Sequence, residues 1–203
     1  MIKKNVIEIG APLEKATKAL VLLHGRGASA QSILSLSEHF ADKETYVAAP
    51  QAPNNSWYPH SFLEEEKLNE PWLTGSIEIV KQLVIDISSK VSRERLYIIG
   101  FSQGACLALE FSARFAANYG GIAAFTGGLI GKSINSKKYS GNFEGTKIFI
   151  GNSDKDPHVP LIRSEESKRI LEALGAQVTL KVYPGMPHTI NPDEIKTVQS
   201  LLF

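Results

Sequence analysis

The sequence predicts an α/β fold whose central sheet is mostly parallel and carries helices on both faces. Short aliphatic and β-branched runs alternate with longer helical patterns, and the central runs are hydrophobic almost throughout. Such alternation is typical of parallel sheets, and unbroken apolar runs are typical of strands that are buried on both faces. A length of 203 residues fits one ordinary domain. We therefore expect a single domain over residues 1–203, without a separate lid domain.

Seven strands are predicted from the short apolar runs. They cover residues 5–9 at an edge of the sheet, 19–23, 45–49, 95–99, 122–126, 147–150 and 177–182. Two long segments, residues 51–71 and 127–145, follow strand ends on the side where open α/β sheets place their sites. We expect both segments to border a functional site.

Between the strands, apolar residues recur at helical spacing. One set consists of Leu73, Ile77, Val80, Val84 and Ile87, and a second consists of Leu107, Phe111 and Phe115. A further helix is predicted with Pro160 just inside its start and Gly175 at its end. The last helix is predicted to follow an N-cap at Asn191, with Glu194 completing a capping box.

Charge and cysteine content exclude several classes of function. A net charge of +1 provides no broad field for nucleic acid or an anionic membrane. The longest apolar runs are far shorter than the ~20 residues of a membrane-spanning helix. The single cysteine, Cys106, cannot form an internal disulfide, and the basic start of the chain lacks the apolar run of a secretory signal. We therefore expect a cytoplasmic protein that neither binds nucleic acid nor inserts into membranes.

The strongest chemical signal is Gly-Phe-Ser-Gln-Gly at residues 100–104, between the predicted strand 95–99 and a helical run over 105–117. In a strand–turn–helix context this pattern is typical of a nucleophilic serine, because the flanking glycines permit a sharp, strained turn. An ordinary glycine-rich turn with a surface serine is the alternative. Ser102 is the predicted nucleophile.

A serine hydroxyl is a weak nucleophile unless a base removes its proton. In sites with this serine turn, an acid and then a histidine follow the serine along the chain. His188, in the loop before the last helix, is preferred over His158 as the base. Asp156 is preferred over Asp154 as the acid because a proline fixes the turn after it, although spacing leaves both aspartates possible.

An oxyanion formed during acyl transfer needs hydrogen-bond donors. The sequence His-Gly-Arg-Gly at residues 24–27 ends the second predicted strand. We expect the backbone N–H groups of Arg26 and Gln103 to be the two donors. His24 is then a structural residue rather than a base.

Aromatic residues in the first long loop are candidates for substrate binding. Trp57, Tyr58 and Phe62 offer an apolar wall, with the Tyr58 hydroxyl able to stay in water. The alternative for Trp57 and Phe62 is that they anchor the loop to the core, because aromatic side chains bury large areas wherever they lie.

These motifs together resemble the phospholipase/carboxylesterase family of small α/β-hydrolases, which includes the acyl-protein thioesterases. The matching segments are residues 23–27, 100–104, 156–160 and 185–188, in the family's order. The resemblance implies the α/β-hydrolase fold, a triad of Ser102, Asp156 and His188, oxyanion donors at Arg26 and Gln103, and ester hydrolysis without metal or cofactor. Isoleucine-glycine at residues 150–151 replaces the thioesterases' usual histidine-glycine, and Arg26 replaces an aliphatic residue, which brings a cation near the acyl pocket.

We accordingly expect a serine carboxylic-ester hydrolase that forms an acyl-enzyme on small-molecule esters of short to medium acyl chain. An acyl-protein or small-molecule thioesterase is the first alternative, since thioesters pass through the same tetrahedral intermediate. A catalytically idle fold that binds a small ligand is the second. The sequence leaves open whether the chain forms a homodimer through an exposed hydrophobic surface.

Overall fold

A seven-stranded sheet lies at the centre of the computed structural model, which describes residues 5–203. Residues 1–4 of the expected domain lie outside the described residues. The strands are β1 (Val6–Gly10), β2 (Lys18–Leu23), β3 (Thr45–Pro50), β4 (Leu96–Phe101), β5 (Gly121–Phe125), β6 (Lys147–Asn152) and β7 (Gln177–Val182). Their order is β1-β3-β2-β4-β5-β6-β7. β1 pairs antiparallel with β3 at one edge and the other pairs are parallel, so the predicted mostly parallel sheet is confirmed.

Helices lie on both faces of this sheet, as predicted. They are α1 (Ala30–Ile33), α2 (Ser37–Phe40), α3 (Trp72–Ser88), α4 (Gln103–Arg114), α5 (Leu161–Ala173) and α6 (Pro192–Leu202). Alternate residues of β2 show how the two layers form. Val21 packs in the cluster that contains the buried sides of α3, α4 and α5, whereas Leu22 packs in the cluster that contains α1, α2 and α6. Full burial of each such aliphatic side chain contributes about 1.5–3 kcal/mol.

Local sequence explains most of the helix boundaries. Asn191 caps α6 by accepting from the amides of Asp193 and Glu194, and the Glu194 carboxylate accepts from the Asn191 amide, so the predicted capping box is confirmed. Pro160 is the N-cap of α5 rather than a residue inside it. Phe115 was expected on a helix, but α4 ends at Arg114 and Phe115 is 37% exposed.

The carboxyl ends of the parallel strands bring four loops to one edge of the sheet. Residues 24–27 follow β2, residue 102 follows β4, residues 153–160 follow β6, and residues 183–191 follow β7. The predicted long loops also meet at this edge, where the Gly131 amide donates to the Phe62 carbonyl. Among residues 5–203, no helix combines the length and apolar character needed to cross a bilayer.

Candidate active site

Ser102 occupies a strained turn between β4 and α4. Its backbone has φ +55° and ψ −118°, a region that non-glycine residues rarely adopt. The two flanking glycines are required by close backbone contacts. A Cβ at Gly100 would lie 2.3 Å from the Gly104 carbonyl oxygen, and a Cβ at Gly104 would lie 2.1 Å from the Leu23 carbonyl oxygen. The predicted strand–turn–helix arrangement is therefore present, and these glycines make it possible.

Three side chains from three loops form one hydrogen-bonded chain. The Ser102 Oγ lies 2.8 Å from Nε2 of His188, and Nδ1 of the same imidazole lies 2.7 Å from Oδ2 of Asp156. His188 is 86 residues from Ser102 and 32 from Asp156 along the chain. The structure thus brings together the three predicted residues in the order that lets a proton pass from the hydroxyl to the imidazole.

Asp156, and not Asp154, contacts the imidazole. The Asp156 side chain has no exposed surface, and its second oxygen accepts from the amides of His158 and Val159, each at 2.8 Å. Burial by itself raises the pKa of the Asp156 carboxyl, but the hydrogen bonds from His188 and these two amides outweigh it and leave the pKa below its ordinary value. Asp156 is therefore held as a carboxylate that can stabilise a positively charged imidazole.

The ring of His188 is also confined by aromatic neighbours. The Phe101 ring centroid lies 5.2 Å from that of His188, and the His158 ring meets it nearly edge-on at 4.8 Å. His158, the weaker candidate base, is therefore a neighbour of the imidazole rather than the partner of Ser102. These contacts restrict rotation of the imidazole away from the hydroxyl.

The predicted oxyanion residues flank Ser102. An added Cβ on Gly25 would lie 3.5 Å from the Ser102 Cβ, which shows how closely the segment that contains Arg26 approaches the serine. Gln103 is the first residue of α4. Neither backbone N–H, of Arg26 or of Gln103, donates to an acceptor elsewhere in residues 5–203. Both amides are thus available to a ligand beside the hydroxyl.

His24 stabilises the segment 24–27 through hydrogen bonds of its buried imidazole. It is fully buried; its Nδ1 bonds the Gly25 carbonyl at 2.8 Å, and its Nε2 accepts from the Ala52 amide at 3.1 Å. Burial lowers the pKa of His24, although the bond to Gly25 opposes that change. A neutral imidazole with both nitrogens occupied fits the structural role expected for it.

The Gln103 side chain has a positioning role that the sequence analysis missed. Its Oε1 accepts from the Trp57 amide at 3.0 Å, and its Nε2 donates to the Tyr58 carbonyl at 2.8 Å. Ser76 of α3 adds a hydrogen bond to the Trp57 carbonyl at 2.6 Å. The residue after the serine therefore fastens the aromatic loop to the site. The sequence contains a polar residue next to the serine as a signal, but its partner cannot be identified from spacing.

Of the three aromatic residues predicted to bind substrate, the structure brings only two to the cavity beside Ser102. Tyr58 and Phe62 line the cavity, whereas Trp57 does not. Trp57 is 1% exposed and its Nε1 donates to the His24 carbonyl at 2.8 Å, so it anchors the loop to the core. The Tyr58 hydroxyl is buried beside the Cys106 thiol, contrary to the expectation that it stays in water.

The cavity has a volume of about 480 Å³ and opens to the surface. Besides the residues already named, its lining includes Pro59, His60, Ser61, Cys106, His158 and Val159. His60 and His158 were not predicted as lining residues, although His60 lies in the segment 51–71 that was expected to border the site and His158 lies in the matching segment 156–160. Within residues 5–203, no group of three or more His, Cys, Asp or Glu side chains is arranged to hold a metal ion.

Known proteins that are similar to this chain are named as esterases or thioesterases of one family. The sequence profile of the phospholipase/carboxylesterase family matches residues 4–202. Acyl-protein thioesterase 1 of Saccharomyces cerevisiae is 26% identical, with 98% of this chain and 97% of the relative covered. A probable SOBER1-like carboxylesterase of Arabidopsis thaliana is 25% identical over 90% of this chain and 77% of the relative. The crystal structure of a phospholipase/carboxylesterase from Dyadobacter fermentans has a TM-score of 0.95 at 47% identity, covering 98% and 95% of the two chains.

Proposed function

The chain belongs to the phospholipase/carboxylesterase family of ester hydrolases, and we propose that it is a serine carboxylic-ester hydrolase with Ser102 as nucleophile, His188 as general base and Asp156 as orienting acid. The observation that carries the proposal is the continuous hydrogen-bonded chain from Ser102 through His188 to Asp156, with links of 2.8 and 2.7 Å. Relatives named as carboxylesterases support the same class of reaction.

Acylation follows from this chain of contacts. Ser102 Oγ attacks the ester carbonyl carbon while its proton passes to Nε2 of His188. The positive charge that forms on the imidazole faces the Asp156 carboxylate. The carbonyl oxygen becomes an oxyanion and accepts hydrogen bonds from the amides of Arg26 and Gln103. The tetrahedral intermediate then expels the alcohol oxygen, which takes the proton from His188, and an acyl-Ser102 ester remains.

Deacylation repeats the same steps with water. His188 accepts a proton from a water molecule as the water oxygen attacks the acyl carbon, and the same two amides donate hydrogen bonds to the oxyanion. Collapse of this second intermediate breaks the bond to Ser102 Oγ, and the proton on His188 returns to that oxygen. The carboxylic acid leaves and the free serine is restored, so no metal or cofactor is required by the balance of atoms.

The cavity favours short to medium acyl chains. Its volume of about 480 Å³ is in the range of pockets for small molecules, and Tyr58, Phe62 and Val159 give it an apolar wall. A long acyl chain would extend beyond this wall into solvent and gain little burial. A series of 4-nitrophenyl esters of increasing acyl length tests this proposal through kcat/KM, which should stop rising once the chain outgrows the cavity.

Thioester hydrolysis is the second candidate, because relatives along the full length of the chain are named acyl-protein thioesterase 1. The nucleophile, base and oxyanion donors would be the same. Matched oxygen esters and thioesters of one acyl group, compared by kcat/KM, separate the two activities, since the acyl contacts are identical and only the leaving group differs.

Active-site labelling tests the central assignment. A fluorophosphonate probe should label the wild type at Ser102, and Ser102→Ala should abolish both labelling and ester hydrolysis. Ser200→Ala, at an exposed serine of α6, is the matched control and should leave both unchanged. Absence of labelling in folded wild type, together with unchanged ester hydrolysis in Ser102→Ala, would contradict the assignment; absence of labelling and of hydrolysis would favour the catalytically idle ligand-binding alternative.

We also propose that residues 1–203 form a single domain and that the protein is cytoplasmic. The first is supported by one sheet that extends from Val6 to Val182, with α6 packed on β6. The second is supported by a single buried cysteine, Cys106. Limited proteolysis that leaves one protected fragment, and fractionation of cells that express the chain, test the two proposals separately.

A further inference from the structure

The guanidinium of Arg26 is fixed at the rim of the cavity that contains Ser102. It donates to the carbonyl oxygens of Pro59 and His60, each at 2.6 Å, and its central carbon lies 5.9 Å from the centroid of the Tyr58 ring. These contacts hold the group in one orientation and use two of its five N–H groups. The remaining donors belong to an exposed residue that lines the cavity.

No carboxylate neutralises this charge. Among residues 5–203, no Asp or Glu oxygen lies within 4.0 Å of the Arg26 guanidinium, and no Asp or Glu lines the cavity. The polar lining instead includes the imidazoles of His60 and His158. Asp156 is close to the site, but its buried carboxylate already bonds His188 and two backbone amides. An anion in the cavity would therefore meet the Arg26 cation, with no carboxylate in the cavity lining to compete for it.

The position of this cation relates it to the reacting bond. The Arg26 backbone amide is one of the two proposed oxyanion donors, so the Arg26 guanidinium is about one side-chain length from the scissile carbonyl. The apolar wall formed by Tyr58 and Phe62 lowers the local polarity, which strengthens an ionic contact relative to open solvent. Arginine also binds carboxylate and phosphate oxygens in pairs, which fixes their orientation.

We propose that Arg26 selects ester substrates that carry an anionic group, a carboxylate or a phosphate, close to the scissile bond. This inference rests on the proposed function, because the selected ester must be hydrolysed at Ser102. The anion can belong to the acyl part or to the alcohol part of the ester, and two pairs of substrates distinguish these sources.

The first pair is mono-4-nitrophenyl adipate and 4-nitrophenyl hexanoate, which share leaving group and acyl length and differ in a terminal carboxylate. The second pair is 4-(carboxymethyl)phenyl butyrate and 4-(carbamoylmethyl)phenyl butyrate, which share the acyl group and differ in charge on the alcohol. The readout is the ratio of kcat/KM for the anionic and neutral members after subtraction of spontaneous hydrolysis. In wild type this ratio should be about tenfold in favour of the anion for one pair, the lower range for a charge-assisted contact because Arg26 is exposed.

Two variants separate the effect of the Arg26 charge from the support that its side chain gives to the loop carbonyls of Pro59 and His60. Arg26→Gln removes the charge but keeps amide donors for the loop carbonyls, and its ratio should fall close to one. Arg26→Lys keeps the charge and should retain most of the preference. Any common loss of rate through the oxyanion amide or the loop cancels in the ratio. Arg93→Gln, which removes an equal charge from an exposed residue before β4 at the opposite edge of the sheet, should leave the ratio at the wild-type value.

Equal ratios in wild type and Arg26→Gln for both pairs would overturn the inference and leave Arg26 as a support for the loop. If Arg26→Gln does not fold, as judged by circular dichroism, the salt dependence of the wild-type ratio decides. Added salt should reduce the ratio, and a ratio that does not change with salt would overturn the inference. Hydrolysis of the neutral esters with no preference would reject only the selectivity, whereas no hydrolysis of any of the four esters would reject the proposed function as well.

Discussion

The Asp154 carboxylate accepts a hydrogen bond from the Gly185 amide at 2.7 Å, and this contact joins the loop that carries Asp156 to the loop that carries His188. The two aspartates that compete for one role in the sequence therefore have different roles in space. Asp156 contacts the imidazole of His188 itself, whereas Asp154 bonds the backbone amide of Gly185, three residues before His188. Asp154 is thus a positioning residue.

Removal of this contact should lower kcat more than it raises KM. We expect Asp154→Ala to reduce kcat about tenfold, because a small displacement of His188 weakens proton transfer while the cavity is unchanged. Asp154→Asn keeps an acceptor oxygen and should recover most of the rate. Steady-state kinetics on a neutral ester measure both effects, and an Asp154→Ala enzyme with wild-type kcat would show that the contact does not position the imidazole.

Asp156→Asn should have a far larger effect than either change at Asp154. The amide nitrogen would donate to Nδ1 of His188, which forces the proton onto Nε2 and leaves no lone pair to accept the Ser102 proton. We expect kcat to fall by about a thousandfold or more. Fluorophosphonate labelling of Ser102 should slow in parallel, and labelling at the wild-type rate would contradict the assigned role of Asp156.

Gly104 should tolerate no side chain. A Cβ there would lie 2.1 Å from the Leu23 carbonyl oxygen and 2.6 Å from that of His24, so the backbone of α4 or β2 must move. We expect Gly104→Ala to lower the free energy of unfolding by about 2–3 kcal/mol and to reduce activity, because the shift separates Ser102 from residues 24–27. Urea unfolding followed by circular dichroism measures the stability.

Gly75→Ala is the matched control. Gly75 lies within α3, and a Cβ on it would have no atom within 4 Å. Alanine is more favourable than glycine in a helix interior, so the free energy of unfolding of this variant should rise by about 0.5–1 kcal/mol. Equal effects of the two substitutions would show that the close approach of α4 to β2 does not limit residue size at Gly104.

The central strands could be predicted from sequence because strands that are buried on both faces consist almost entirely of apolar residues, whereas the edge strands β1 and β7 also contain polar residues. Residues 177–182 were predicted with the same bounds as β7, and the other strands differ by one or two residues at their ends. Phe115 shows where periodicity fails. It continues the spacing of Leu107 and Phe111, but the helix has already ended at Arg114, and spacing alone does not reveal where backbone hydrogen bonds stop.

The site was predictable where local backbone geometry demands particular residues. The glycines around Ser102 record a turn that larger residues would prevent, so the motif indicates the serine without any other information. The irregular loop over residues 51–71 leaves no such record. Trp57 and Tyr58 are adjacent and both almost fully buried, yet only Tyr58 reaches the cavity, because contacts from Gln103 and Ser76 set the direction of the chain.

Glu194 is a buried carboxyl whose ionisation should affect stability. It has no exposed surface; its Oε2 accepts from the Asn191 amide at 2.9 Å, and its Oε1 has no hydrogen-bond partner among the described residues. Burial raises its pKa to about 7, the Asn191 amide opposes this, and the Asp193 charge adds to it. The protonated form is therefore favoured in the folded chain relative to the unfolded chain, whose carboxyl has an ordinary pKa.

Between the ordinary pKa of 4.5 and about 7, the folded state consequently binds more protons than the unfolded state. The contribution of Glu194 to stability is fully present below pH 4.5, declines as pH rises through this window, and is constant above it, with a total change of up to about 3 kcal/mol.

Glu194→Gln does not titrate, so its free energy of unfolding should fall less than that of wild type between pH 5 and pH 7, as measured by urea unfolding at several pH values. Asp193→Asn removes a charge that adds to the raised pKa of Glu194, so this variant should narrow the window without abolishing it. Parallel pH profiles for wild type and Glu194→Gln would show that the carboxyl does not carry a raised pKa, whereas convergence of the two below pH 5 and separation above it would trace the pH dependence to this one group.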